Sequence, residues 1–204
     1  MLFSDSYHTI EKPVEGIFRD RGSKFIGFAY PVTKESEIKD IILKLKKEHT
    51  GANHHCYAYR LGADKQNYRA NDDGEPAGTA GKPILGQIQS KDLTNILIVV
   101  VRYFAGTLLG VPGLINAYKN GAIEALYNAT IIETHIMYFY KVSFSFERMN
   151  DIMRILKENS CKIVKQDFAE DCSIEFSVKK SGSEKLEQQL TKIFDIKYTF
   201  LNAN

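Results

Sequence analysis

Two short segments carry the side chains best suited to chemistry. Six candidates lie in HHCYAYRLG and in the following NDDGEP: His54, His55, Cys56, Asp72, Asp73 and Glu75. A cysteine with a neighbouring base and carboxylate has the composition of a nucleophilic site. The same residue types also bind metal ions.

The spacing of these residues does not favour a metal site. An EF-hand loop places carboxylates at alternating positions and ends in a glutamate, a pattern that NDDGEP lacks. On a strand, His54 and Cys56 share one face while His55 points to the other, which leaves two zinc ligands instead of four. We therefore expect no metal and no cofactor. A hydrolase using His54, Cys56 and Asp73 stays open, although a buried cysteine is more often a packed thiol.

The segment RANDDGEPAGTAGKPIL (residues 69–85) has the glycine content of a phosphate-binding loop. That motif needs a glycine where this chain has Pro76, and a serine or threonine where it has Pro83. Nucleotide binding is therefore not expected. We interpret the segment as a loop whose carboxylates either present a fixed acidic rim or accept bonds from its own N–H groups.

A second glycine cluster, RYFAGTLLGVPGL, begins at Arg102 and leads from a buried strand into a helix. The N–H groups at a helix start, with Arg102 nearby, would suit a phosphate or carboxylate. Alternatively, the glycines only permit a tight passage from strand to helix. The sequence leaves both readings open.

Regular elements position these segments. Strands are predicted over residues 24–32, 54–62 and 93–104, the last with an unbroken apolar run typical of a fully buried strand. An amphipathic helix is predicted after Thr33 as N-cap, with Ile38, Ile41, Ile42 and Leu45 as its stripe. A further helix is predicted over VPGLINAYKNGAIEALYNA, with Pro112 in its first turn and a buried side of Leu114, Tyr118, Ala122 and Ala125 or Leu126.

The last seventy residues predict the order β-α-β-β-α-β, the split βαβ arrangement. YFYKVSFSFE alternates like a half-buried strand, and two further strands, CKIVKQDF and CSIEFSVKK, form a hairpin. We expect a boundary within residues 128–135 and assign domains to residues 1–131 and 132–204.

Composition and charge exclude some classes of protein. Cysteines 56, 161 and 172 lack CxxC spacing, which favours reduced thiols over a disulfide framework. We expect no signal peptide or membrane span, and hence a cytoplasmic protein. Lys and Arg against Asp and Glu number 16 and 14 in residues 1–130, and 11 and 11 in residues 131–204. No basic arm is visible, so a basic patch would have to be assembled by folding.

The two glycine clusters and the HHCYAYRLG strand, in this order and spacing, closely resemble the YigZ/IMPACT family over residues 16–126. The resemblance implies an α+β chain in which a ribosomal-protein-S5-domain-2-like domain precedes a ferredoxin-like βαββαβ domain. It also implies that the following are family-motif or binding residues: His54, Cys56, Tyr57, Arg60, Asp72, Asp73, Gly74, Glu75, Pro76, Gly78, Thr79, Gly81, Lys82, Arg102, Tyr103, Gly106, Gly110 and Gly113. The chain departs from the family pattern at Ala105, Pro112 and Asn116, and each change weakens an anion site at this helix.

Eukaryotic relatives regulate translation under amino-acid stress, and bacterial relatives have been suggested to bind nucleic acid. The resemblance therefore implies a non-enzymatic regulator associated with translation that binds structured RNA or the ribosome. Candidate phosphate contacts are Lys24, Arg60, Lys82 and Arg102, and candidate stacking residues are Tyr57, Tyr59 and Tyr103. The alternatives are a protein-binding stress regulator that acts through an acidic loop of Asp72–Glu75, and the hydrolase.

Overall fold

The computed structural model describes residues 5–168 and 172–203. These residues form two compact units, one of Tyr7–Thr134 and one of residues 5–6, 135–168 and 172–203. Each unit combines a sheet with helices, so the chain is mixed α/β. The domain division after residue 131 stays a prediction.

The first unit is organised around a five-stranded antiparallel sheet. In chain order, the elements up to the second unit are β1 (Ser6–Ile10), β2 (Val14–Asp20), β3 (Ser23–Pro31), α1 (Glu35–Glu48), β4 (His54–Leu61), β5 (Asn67–Asn71), α2 (Gly81–Ser90), β6 (Ile96–Tyr103), α3 (Gly110–Tyr127) and β7 (Ile131–His135). The sheet order is β2-β3-β6-β4-β5, and β1 pairs separately with β7. The predicted buried strand, β6, is thus the central strand.

Helices cover both faces of this sheet because β6 is apolar on both sides. Its even-numbered residues, such as Ile98, belong to a buried cluster with α2 and α3. Its odd-numbered residues, such as Val99, belong to a second cluster with α1. Even-numbered residues of β4 and odd-numbered residues of β3 share the α2/α3 side. Side chains of β3, β4 and β6 can therefore contact each other only when they point to the same side of the sheet.

Helix α1 begins one residue later than predicted. The N-cap position is Lys34, not Thr33, and no side chain caps it. The Thr33 N–H instead donates to the Glu37 carboxylate at 2.8 Å, because Glu37 reaches back over the first turn. The predicted stripe is correct, with Ile38 and Leu45 buried and its other two members packed against the same cluster.

The interpretation of residues 69–85 as a loop is wrong at both ends. Asn67–Asn71 forms the edge strand β5, which escaped the apolar pattern because its side chains are exposed or half-buried. Gly81 begins α2, whose first turn contains Pro83. A Cβ on Gly81 would lie 2.5 Å from the backbone nitrogen of Asn71, so the helix starts directly against β5.

The second unit has the predicted order of elements. They are β8 (Met137–Phe144), a 3-10 turn (Phe146–Arg148), α4 (Met149–Glu158), β9 (Lys162–Phe168), β10 (Cys172–Lys179), α5 (Lys180–Leu190) and β11 (Ile196–Ala203). The antiparallel sheet order is β11-β8-β10-β9. One face of the sheet packs on α4 and α5 through a single buried cluster. The turn of the predicted hairpin lies outside the described residues.

Candidate functional site

The segment between β5 and α2 wraps around its own carboxylate. Asp72 accepts hydrogen bonds from the backbone N–H groups of Gly78 at 2.9 Å, Ala80 at 3.0 Å and Gly81 at 2.8 Å. Two of these donors mark the start of α2, where a negative charge is favoured. The glycine-rich loop therefore holds an internal anion at the place where a phosphate loop holds its ligand.

Hydrogen bonding to the charged form controls the ionisation of Asp72. Burial opposes ionisation, but the three N–H donors and the nearby charge of Lys82 outweigh it and lower the pKa of Asp72. Asp73 is also engaged, because its carboxylate accepts from the His55 N–H at 2.7 Å and from Lys46 Nζ at 3.0 Å. These bonds tie the loop to β4 and α1.

Glu75 lies at the centre of a buried polar cluster. Its side chain is only 4% exposed, and its Oε1 accepts from Arg102 Nη1 at 2.6 Å and from the Tyr118 hydroxyl at 2.7 Å. The Arg102 guanidinium lies between two rings, 5.5 Å from the centroid of Phe25 and 5.2 Å from that of Phe104. Arg102 and Glu75 neutralise each other where neither reaches bulk water.

The three carboxylates of the motif therefore do not form an acidic rim. The second sequence interpretation, bonds from the loop's own N–H groups, holds for Asp72 alone: Asp73 bonds the backbone of β4, and Glu75 points inward to Arg102. An acidic loop facing a basic protein partner has no support in this geometry. The anion site suggested for the start of α3 is weakened as well, because its cation, Arg102, already pairs with Glu75.

The hydrolase hypothesis fails on the state of its nucleophile. Cys56 is fully buried, its Sγ donates to the Asp72 carbonyl oxygen at 3.0 Å, and burial raises the pKa of the thiol. His54 Nδ1 bonds the Asp73 carbonyl oxygen at 2.9 Å rather than the sulfur. A thiol held protonated without a paired base is not activated. Within residues 5–168 and 172–203, no three His, Cys, Asp or Glu side chains are placed to hold a metal ion.

Two of the four predicted phosphate contacts are already neutralised. Arg60 is buried and bonds Asp92 at 3.2 Å, as Arg102 bonds Glu75. Lys82 is exposed and Lys24 is half-buried, so these two stay accessible. Spacing along the sequence could not reveal these two ion pairs, because the partners are 32 and 27 residues away along the chain.

The three predicted stacking residues pack against the hydrophobic core of the first unit. Tyr59 is buried in the α1-side cluster. Tyr57 and Tyr103 pack against that cluster, and the Tyr103 hydroxyl lies 2.9 Å from His49 Nδ1. Phe104, which sequence reasoning did not single out, is the exposed ring at this end of the sheet.

The remaining motif positions shape the backbone. Gly74, Gly78, Gly106 and Gly110 have positive φ angles, which favour glycine. Thr79 is buried and its hydroxyl donates to the Pro76 carbonyl oxygen at 2.7 Å. These residues fix the two segments that border a pocket.

This pocket has a volume of about 440 Å³ and opens beside the buried Arg102–Glu75 pair. Its wall is mostly apolar, and Leu108 at its rim is 80% exposed. Ligand pockets in proteins have this size and this mixture of apolar wall and few polar groups. The lining residues are Asn53, His54, Glu75, Pro76, Arg102, Phe104, Leu108, Leu109, Gly110, Val111 and Leu114.

Sequence reasoning missed a cationic hairpin at the same end of the sheet. Arg21 and Gly22 connect β2 to β3 with φ angles of 44° and 82°, the positive pair that a type I′ turn requires. Arg19 lies directly opposite Lys24 in the register. We call Arg19, Arg21 and Lys24 the basic hairpin; in the part of the chain that the structure describes, none of them makes an ion pair.

The tip of the basic hairpin borders the pocket segment. A Cβ on Gly22 would lie 3.3 Å from the Cβ of Ala105, the residue that follows Phe104. The signal in the sequence was RDRGSK, in which Arg19 and Lys24 each lie two residues from the Arg21–Gly22 turn. It was missed because β2 does not show a clean apolar alternation.

The chain was compared with known proteins. The Impact N-terminal domain family matches residues 21–126. IMPACT family member YvyE of Bacillus subtilis is 32% identical over 188 residues, which cover 92% of this chain and 87% of the relative. IMPACT family member YigZ of Escherichia coli is 35% identical over 158 residues, 76% of this chain and 78% of the relative.

One solved structure has a similar fold over nearly the whole chain. The crystal structure of a hypothetical protein superposes with a TM-score of 0.78 at 28% sequence identity, and the match covers 98% of each chain. No helix among the described residues is long and apolar enough to span a membrane. The family match covers the strand, both glycine segments and the Glu75–Arg102 pair, and this chain therefore belongs to the YigZ/IMPACT family.

Proposed function

We propose that this chain is a non-enzymatic cytoplasmic protein that acts in translation by binding the ribosome through its RNA. The basic hairpin carries the proposal. The family resemblance supplies the link to translation, and the hairpin supplies cations that no group of the described chain neutralises. We also propose the ribosomal-protein-S5-domain-2-like and ferredoxin-like assignments for the two units.

The hairpin geometry favours an anionic partner. Like charges directly opposite each other on adjacent strands destabilise a sheet. Arg19 and Lys24 are such a pair, and Arg21 adds a third positive charge at the turn. A phosphate between them would remove the repulsion, and each neutralised phosphate also releases counterions from the nucleic acid. The exposed Phe104 ring lies next to this position and can stack on an unpaired base.

The test is sedimentation of the full chain with ribosomes at low and moderate salt. We expect Arg19→Gln/Arg21→Gln/Lys24→Gln to weaken binding and to reduce the slope of log K against log[salt] by about 2 to 3, since each contact contributes about 0.7 to 0.9. The matched control is Lys34→Gln/Lys39→Gln/Lys91→Gln, which removes three exposed lysines away from the hairpin. Equal losses in both variants, or no binding of the native chain, would refute the proposal.

The apolar pocket favours a second candidate, a protein partner. Leu108, Val111 and Ile115 follow one another on a single face at the start of α3, and all three are exposed. Exposed apolar groups beside a pocket are typical of protein docking sites. If a protein is the partner, binding to ribosomes should persist at moderate salt, and Leu108→Ser/Val111→Ser should abolish this binding. The Arg19→Gln/Arg21→Gln/Lys24→Gln variant should still bind. Loss of binding in the hairpin variant, with binding kept in the Leu108→Ser/Val111→Ser variant, excludes this candidate.

A further inference from the structure

The second unit has one sheet face that its helices do not cover. Tyr140, Val142, Ile174 and Phe176 point to α4 and α5 and are buried. Since side chains alternate along a strand, their neighbours point to the opposite face.

The register lines up the outward residues in rows across the strands. One row runs Thr199, Lys141, Glu175, Lys165. A second runs Lys197, Ser143, Ser173, Asp167. Lys162 lies opposite Ser177, and Lys179 lies opposite Met137. Among the residues that the structure describes, the outward face therefore holds five lysines and two carboxylates.

This charge distribution is not visible in the totals. Residues 131–204 contain 11 basic and 11 acidic residues. Five of these basic residues and two of the described acidic ones lie on one sheet face, so the described residues give that face a positive charge. We call Lys141, Lys162, Lys165, Lys179 and Lys197 the lysine face.

The lysines of this face have no ion-pair partner in the described part of the chain. All five side chains belong to exposed residues. Glu175 lies between Lys141 and Lys165 in the register and offsets one charge. Asp167, opposite Ser173, offsets a second charge, so three positive charges remain in excess among the described residues of the face, which makes it complementary to an anion.

The other outward groups indicate the kind of anion. Ser143, Ser173 and Thr199 are hydroxyls among the lysines. Lysine, serine and threonine are among the side chains that contact the phosphate and sugar oxygens of nucleic acids. Phe139 lies on the same side of the sheet, but it is half-buried and Ser177 beside it is buried, so the exposed part of the face is the part that carries the lysines and hydroxyls. A four-stranded sheet with an open face is a known arrangement for single-stranded RNA.

We infer that the lysine face binds single-stranded RNA, as a contact separate from the basic hairpin. The inference rests on the proposed function, since it gives that function a second RNA-binding surface. Single strands are favoured over duplexes because the sheet is open and about 15 Å wide across four strands. A flat face of this width contacts an extended strand along its length, whereas A-form duplexes are recognised across their minor groove.

The test uses the full chain and a short single-stranded RNA oligonucleotide in fluorescence anisotropy. We expect Lys141→Gln/Lys165→Gln/Lys197→Gln to weaken binding about tenfold or more and to reduce the salt slope by about 2, at about 0.7 per lost contact. The control, Lys157→Gln/Lys185→Gln/Lys192→Gln, removes three exposed lysines from the helical side of the same unit and should change affinity less than twofold. Arginine at the three sheet positions should keep the affinity, which separates charge from folding.

Several results would overturn the inference: equal effects of both triple variants, tighter binding to a duplex RNA of the same sequence, or tighter binding to phosphatidylserine vesicles. Failure of the inference and failure of the proposed function are distinguishable. If the sheet variant keeps its oligonucleotide affinity while the hairpin variant loses ribosomes, only the lysine face is refuted. If the hairpin variant keeps ribosomes while the sheet variant loses the oligonucleotide, only the hairpin mechanism is refuted.

Discussion

Asp72 occupies the position that a bound phosphate has in other glycine-rich loops. Three N–H donors converge on one carboxylate, so the residue organises the loop and the start of α2 together. Hydrogen bonds to a charged group stabilise by about 1.5–3 kcal/mol. We expect Asp72→Asn to lower the free energy of unfolding by a similar amount at pH 7, measured by urea denaturation. Asp40→Asn, an exposed change on α1, should alter it by less than about 0.5 kcal/mol.

The same residue predicts a pH dependence with a definite sign. Because the folded chain lowers the pKa of Asp72, its contribution is fully present above the ordinary carboxyl value of about 3.9. It is lost as the pH falls through the folded pKa. Native chain and Asp72→Asn should therefore differ at pH 7 and converge at acid pH. A difference that is constant over this range would contradict the assigned role of the charge.

Glu75 and Arg102 form a pair whose energetics depend on burial. Removing one partner of a buried ion pair costs about 3–5 kcal/mol, because the other charge is left buried. We expect Arg102→Met and Glu75→Leu each to destabilise by about this amount, and the double variant by much less than their sum. The exposed pair Lys44–Glu48, with side chains 66% and 51% exposed, should couple by only about 0.3–0.5 kcal/mol. If the effects of Arg102→Met and Glu75→Leu on the free energy of unfolding were simply additive in the double variant, Glu75 and Arg102 would not interact.

At the scale of elements, glycines let α3 lie directly on the sheet. A Cβ on Gly27 would be 2.1 Å from the carbonyl oxygen of Gly121, so even a methyl group must displace the helix. We expect Gly27→Ala to destabilise by about 3 kcal/mol or more. Gly86, within α2, has no atom within 4 Å of such a Cβ. Gly86→Ala should therefore stabilise by up to about 1 kcal/mol through helix propensity, and similar shifts of both variants would contradict this packing.

The sequence predicted those elements whose own pattern of apolar residues shows which side chains are buried. The apolar run of β6 and the stripe of α3 are such cases, since each encodes which face is covered. The sequence also missed β1, β2, β5, β7 and α2. Among these, β5 is exposed, and α2 is short and contains Gly81, Pro83 and Gly86. For the candidate site, the segments were identifiable but the partners were not. That Arg102 pairs with Glu75 depends on how distant strands align, which spacing along the chain does not record.

At the scale of the whole molecule, a nearly balanced chain hides two positive surfaces. The net charge is only +2, with 27 basic and 25 acidic residues. The basic hairpin and the lysine face are positive because the strand register places cations side by side, while Asp72 and Glu75 are bonded within the fold. The small net charge therefore does not exclude nucleic-acid binding. The register of the paired strands, not the total charge, determines where positive side chains lie together.

Among the described residues, each unit has its own hydrophobic clusters. We therefore expect a core substitution in one unit to destabilise chiefly that unit. Ile98 and Ile174 are both fully buried, the first in the five-stranded unit and the second in the four-stranded unit, and no buried cluster of the described residues includes members of both. Ile→Ala at either position should cost about 2–5 kcal/mol, chiefly in its own unit. Hydrogen exchange of the full chain should then show lost protection in β8 and β10 for Ile174→Ala, and in β4 and β6 for Ile98→Ala. Equal loss in both sheets from either substitution would mean that the two cores unfold as one.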